Sequence, residues 1–320
     1  MINKFLLILA AIPFLIFSGC DWGQNKSKAI TGEITIEVDE NFASLMETFK
    51  TEFERLNPEA KINYVIKPAK VARTDLLNHD TKVIMIGGGF TKDEEDFISQ
   101  HKIEFIKYDI AIDGIGFIVN PSSPVERLTS EDLKKIFTGE YTKWSQIKAL
   151  DEDQNQAVKK KMTGKDDEIK LYIQRPNSSA YEFVKDSVLF GADFSKAARI
   201  CSTSVQMMES IRSNKSAIGI INLSSISTGK QDAQDTTVRP IRVSYFTKEG
   251  VQHDFIIFHQ GTVAYKTYPY FRKFTIYTTE LGISTVTGFA TFLLNKDGQK
   301  IVLEKGLVPV SQPVRIIKLD

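Results

Sequence analysis

The chain has 320 residues, of which 42% are hydrophobic and 25% charged, and its 41 basic side chains are balanced by 40 acidic ones. That composition excludes global disorder and offers no excess of cations for tracking nucleic acid by phosphate neutralisation. The length suits about two lobes at roughly 100–200 residues each, with a core that needs no disulfide framework.

At the N-terminus, Lys4 precedes an uncharged apolar run from Phe5 to Phe17, followed by Ser18, Gly19 and Cys20. This is the layout of a secretory signal, and the run is too short for a membrane span of about 20 residues. Small residues closing on a cysteine resemble a bacterial lipobox. Residues 1–19 are therefore expected to be removed, Cys20 to be acylated, and residues 20–31 to form a polar tether. The expected location is the cell envelope, membrane-anchored and facing the periplasm or exterior; plain secretion with a free Cys20 is the alternative. Cys201 is the one other cysteine, so a thiol framework and a CxxC zinc site are both excluded.

The alternation in Ile34–Val38 predicts a strand. Phe42, Leu45, Met46, Phe49, Phe53 and Leu56 then recur at helical spacing, and Asn57-Pro58 stops that helix. Strands are expected at Ile62–Ile66 and Val83–Ile86, with a short helix at Leu76-Leu77 between them. Strand and helix in alternation predict a parallel α/β sheet. Ile110–Asn120 reads as a long strand crossing between lobes. A helix is expected after Thr129-Ser130-Glu131-Asp132, and the polar stretch Lys148–Glu168 reads as a solvated loop. Further strands are expected at Leu171–Gln174, Ala217–Asn222, Val238–Val243 and Phe255–Phe258. Helices are expected from about Ala180, over Thr285–Leu294 and over Gly298–Lys305, the last capped by Gly306.

No G-x-S-x-G elbow, H-E-x-x-H or P-loop occurs, and no nucleophile–base pair can be placed, so an enzyme is not expected. The four histidines have no metal-ligand spacing, and neither a metal nor a cofactor is called for. Three places suit a small anion. Arg175 with Ser178 and Ser179 stands at a strand-to-helix turn, where free N–H donors, hydroxyls and a guanidinium fork make an oxyanion cradle; alternatively, Ser179 and Glu182 form a capping box. Asp39-Glu40-Asn41-Phe42 enters the first helix, although its acids repel an anion. Gly87-Gly88-Gly89 exposes bare N–H groups, or is a tight turn ahead of a Thr91/Glu94 capping box.

Several segments together resemble the phosphate-binding proteins of bacterial ABC importers. They are Leu128–Trp144 (LTSEDLKKIFTGEYTKW), Ser216–Ile220 (SAIGI), Tyr268–Thr278 (YPYFRKFTIYT), Asp297–Val302 and Gly306–Val310. The resemblance implies a two-lobed type II periplasmic-binding fold, each lobe a mixed, mostly parallel sheet flanked by helices, with two crossover strands as hinge. Lobe 1 is expected over 32–112 and 240–320, and lobe 2 over 113–239. It implies that Arg175, Ser178 and Ser179 reach the ligand from one lobe, and Asn41, Phe42 and Gly88 from the other. Ala180 stands where the family usually has Thr, and no acid separates Arg175 from Ser178. The expected function is that of a lipid-anchored, monomeric solute-binding protein that captures phosphate or a related oxyanion for the permease subunits of an ABC importer. The alternative is a lipoprotein of the same fold that has lost anion binding and serves as a sensor or interaction scaffold.

Overall fold

A computed structural model describes residues 28–147, 152–229, 233–246 and 250–311. The first half opens with β1 (Gly32–Asp39), α1 (Ala43–Leu56), β2 (Ala60–Lys67), α2 (Ala69–Leu77), β3 (Val83–Gly87) and α3 (Lys92–His101). β4 (Ile106–Val119) leads out of it. β5 (Arg127–Thr129), α4 (Ser130–Thr138), α5 (Glu152–Lys161), β6 (Lys170–Gln174), α6 (Ser179–Ser187), β7 (Arg199–Cys201), α7 (Ser204–Arg212), β8 (Ala217–Asn222) and α8 (Leu223–Ile226) follow. β9 (Arg239–Pro240), β10 (Arg242–Ser244), α9 (Gln260–Ala264), β11 (Phe271–Thr278), α10 (Thr285–Leu294), α11 (Lys296–Glu304) and β12 (Val308–Pro309) complete the chain.

The main sheet is ordered β2-β1-β3-β11-β4-β8-β6-β7. β1 runs parallel to β2 and β3, and β6 runs parallel to β7 and β8. β11 and β4 are antiparallel to their neighbours and join the two parallel groups. β4 crosses because its first residues pair with β11 and its last with β8. One buried cluster gathers α1, α10 and α11 on β1, β3 and β11; the larger one surrounds the far end of β4.

Several expectations change. The polar stretch 148–168 contains α5, which buries Gln154 and Val158: two inward positions one turn apart suffice to dock a helix otherwise made of charges. Residues 148–151 lie outside the described residues. Val238–Val243 is two short strands, β9 on β4 and β10 on β5, and Phe255–Phe258 makes only a bridge from Ile256 to Val243. Phe258, Val263 and Tyr268 pack in the second half's core, so the chain returns to the first half at β11 rather than at residue 240. The fold also begins before Gly32. Lys28–Ile30 form a turn against α10, where a Cβ on Gly288 would lie 1.7 Å from the Ala29 carbonyl oxygen. Cys20 and the signal-like run lie outside the described residues. Among the described residues, no helix is long and apolar enough to cross a membrane.

Candidate functional site

Parallel strands point their carboxyl ends at one crevice, where α/β sheets place ligands. β1 and β3 end there at Asp39 and Gly87; β6 and β8 end at Gln174 and Asn222. The loops beyond these ends touch. Asn41 Nδ2 donates to Ser179 Oγ at 3.1 Å and to Asp39 Oδ1 at 2.9 Å. Asp39 is fully buried and also accepts from the backbone N–H groups of Asn41 and Gly87. It caps the short turn Glu40–Phe42, and it explains why an acid stands at the start of the first helix.

Arg175 reaches the same place from β6. Its Nε lies 2.9 Å from both oxygens of Glu40, and its Nη2 closes the fork on Glu40 Oε2. Hydrogen bonding to that carboxylate, partly offset by desolvation, holds the Arg175 pKa above its ordinary value. Ser178 is the N-cap of α6 and accepts from the Tyr181 backbone N–H. This corrects the Ser179/Glu182 capping box: the cap falls one residue earlier, which frees Ser179 for Asn41 and Glu182 for another partner. The Thr91/Glu94 capping box does form.

That partner is Arg73 of α2. Arg73 Nη2 donates to both Glu182 oxygens at 3.0 and 2.9 Å, and its Nε to Glu94. Burial raises the Glu182 pKa, and Arg73 pulls it back. Beside this clasp the Lys70 backbone N–H donates to the carbonyl of Asn177, whose φ of 72° turns that carbonyl toward α2. Asn accepts this left-handed geometry more readily than most residues.

Phe42 puts its ring in the core, stacked on Phe274 at 3.7 Å, with the Arg272 guanidinium 5.6 Å from its centroid. Arg272 pairs with Asp113 at 3.3 Å, both side chains at most 2% exposed. Burial pushes the Asp113 carboxyl up to about 6, opposed by Arg272 and aided by the nearby Asp39. A Cβ on Gly87 would lie 2.8 Å from Arg272 Cζ, so only glycine fits that strand end. Gly88 has φ 88°, donates to the Lys273 carbonyl and opens on free space.

Asn41, Ser179, Arg175 and Ser178 thus converge at one crevice, with Phe42 beneath and Gly88 to the side. Sequence reasoning missed Asp39 as a cap, gave Glu182 the wrong partner, and did not place Arg73, Asp113, Arg272, Gln174 or Asn222 at the site. One signal was readable: Asp113 interrupts an otherwise apolar strand. The Gln174 Nε2, both polar side-chain atoms of Asn222 and Arg272 Nη1 are buried without a hydrogen-bond partner. Such atoms are costly, and three of them stand at the strand ends facing the crevice. Among the described residues no group of His, Cys, Asp and Glu is arranged to hold a metal ion.

The PBP superfamily domain model matches residues 23–297. The chain is 25% identical to the phosphate-binding protein PstS of Bacillus subtilis, over 97% of this chain and 95% of that one. It is 21% identical to PstS of Borreliella burgdorferi, over 95% and 98%. A putative phosphate ABC transporter substrate-binding protein from Clostridium perfringens, solved with bound phosphate, superposes with a TM-score of 0.67 at 21% identity, covering 87% of this chain and all of that one. An ABC-type phosphate transport receptor from Vibrio cholerae gives 0.64 at 20% identity, covering 86% and 99%. These likenesses establish a shared two-lobed, type II periplasmic-binding architecture.

Proposed function

Because the chain belongs to the PBP superfamily domain family, we propose that it is a solute-binding protein that captures phosphate, or a related tetrahedral oxyanion, between its two halves for an ABC importer. One observation carries this reading: the Arg175 fork already grips an oxyanion, the Glu40 carboxylate, beside the Asn41–Ser179 bridge. Charge-assisted, bidentate bonds of this kind are the strong ones. An incoming anion takes the fork from Glu40. It then accepts from the Ser179 hydroxyl, the Asn41 amide and the N–H groups at the start of α6, with the helix dipole behind them. Gln174 and Asn222 have donors to spare for it. No bond is made or broken; the closed form is the signal to the permease. The names of the relatives support the anion, and the small-small-Cys20 sequence supports a lipid anchor on a monomeric receptor at the cell envelope.

A second reading has its own observation. The same Glu40 contact fills the fork with a residue of this chain, as expected of a cleft that has given up anions and serves as a sensor or scaffold.

Calorimetric titration of the purified full chain with phosphate, then sulfate, arsenate and molybdate, separates the two. Arg175→Ala is expected to weaken anion binding by a hundredfold or so, about 3 kcal/mol. Unchanged affinity in that variant removes Arg175 from the site. A folded wild type silent to all four anions favours the scaffold.

A further inference from the structure

α3 is a ten-residue helix with no buried residue. It stands off the sheet over a chamber of about 580 Å³, walled by Gly88, Phe90, Phe105, Phe183, Arg272 and Tyr277. Phe90, Phe105 and Tyr277 form an aromatic corner with ring centroids 5.0–5.5 Å apart. The volume falls within the range of small-molecule sites, roughly 300–1,000 Å³, and Glu95, Lys107, Asp109, Lys273 and Thr275 stand on the wall beside the aromatic corner. A tetrahedral inorganic anion, which needs only donors, has no use for such walls.

The chamber adjoins the anion cradle on both sides. Phe183 lies four residues after Ser179 on α6, hence on the same helix face and about 6 Å along it. On the facing side Gly88 follows Gly87, whose N–H donates to Asp39. Arg272 links the two: it packs on Phe42, lines the chamber, and carries the unpartnered Nη1. A Cβ at Gly88 would meet nothing within 4 Å, so the loop after β3 leaves free space beside the chamber.

We propose that this chamber receives the ring-bearing substituent of an organic phosphate or phosphonate whose anionic head sits at Arg175 and Ser179. The inference rests on the oxyanion reading of that cradle and narrows it to a substrate class. The ring packs edge-on against the corner formed by Phe90, Phe105 and Tyr277, the arrangement aromatic pairs prefer, and α3 closes over it.

The test is calorimetric titration of the full chain at pH 8 with phenyl phosphate, methyl phosphate and inorganic phosphate, in wild type and in Ile98→Trp. Ile98 lies on α3 and lines the chamber, so the larger ring fills it at little cost to a helix that buries nothing. Phenyl phosphate is expected to bind wild type at least about tenfold more tightly than methyl phosphate, as burial of one ring gives. In Ile98→Trp that ratio is expected to fall to within about twofold of one. Equal affinity for the two esters in wild type, or a preference that survives in Ile98→Trp, overturns the inference and leaves the anion reading standing. Silence toward all three from folded protein overturns the inference, and the anion reading falls with it only if sulfate, arsenate and molybdate are silent as well.

Discussion

Arg73 of α2 and Glu182 of α6 form an ion pair across the crevice, with both carboxylate oxygens of Glu182 on one guanidinium nitrogen at 2.9–3.0 Å. The two residues belong to opposite halves of the molecule, and the Arg73 side chain is only 2% exposed. The contact therefore exists only while the halves are together, and its strength bears directly on how often they part.

Glu182→Gln removes the charge from this clasp without removing the side chain. Glu182 is 23% exposed and Arg73 keeps Glu94, so the loss is that of one charge-assisted pair, about 1.5–3 kcal/mol, enough to move a closed-to-open ratio about ten- to a hundredfold. The expected outcome is a larger radius of gyration by small-angle X-ray scattering and faster proteolysis of the connecting segments. A scattering profile identical to wild type at matched concentration means that other contacts hold the halves closed.

Glu40 fills the Arg175 fork, so on the oxyanion reading it competes with the anion. Glu40→Gln keeps the shape of the side chain and removes the charge from the fork. Phosphate affinity is expected to rise about tenfold, the worth of one charge-assisted bond of roughly 1.5 kcal/mol. Unaltered affinity, in a wild type that does bind, places the anion away from the fork. A variant that still binds nothing strengthens the scaffold reading.

Asp113 makes stability depend on pH. Burial raises its carboxyl from an ordinary 3.8 to about 6 in the folded chain. Between about pH 4 and pH 6 the folded state therefore holds a proton that the unfolded chain has released. Its contribution to stability is full below about pH 4 and is lost as pH rises through 6, a change of about 3 kcal/mol. Urea unfolding of wild type and Asp113→Asn across this window tests it. The variant leaves Arg272 without its carboxylate at every pH, which shifts its curve but not the slope. The wild-type advantage is expected to shrink as pH rises; a constant difference contradicts the shift.

The sequence is most legible where the signal is local. The Arg175–Ser179 stretch is visible because a strand end, a turn and a helix start lie within a few residues, and free N–H donors at a helix start follow from the helix itself. The one-residue error in its cap shows the limit. S-x-x-E at Ser179 is a sound local pattern, but Glu182 had a better offer from Arg73, more than a hundred residues away. The polar stretch holding α5 was misread for a similar reason, since two buried side chains are too few to show through a charged composition.

By itself, then, the sequence determined the alternation of strands and helices, the long strand through Asp113 and the strand-to-helix turn at Arg175–Ser179, because periodicity, turn residues and capping act over a few positions. Only the tertiary structure decided that Glu40 occupies the Arg175 fork, that Arg73 clasps Glu182, that Arg272 meets Asp113 in the interior, and that Gly88 and Gly89 border an aromatic chamber. Each of these joins residues distant in the chain. Their energies depend on burial and mutual distance, which exist only once the two halves have folded and met.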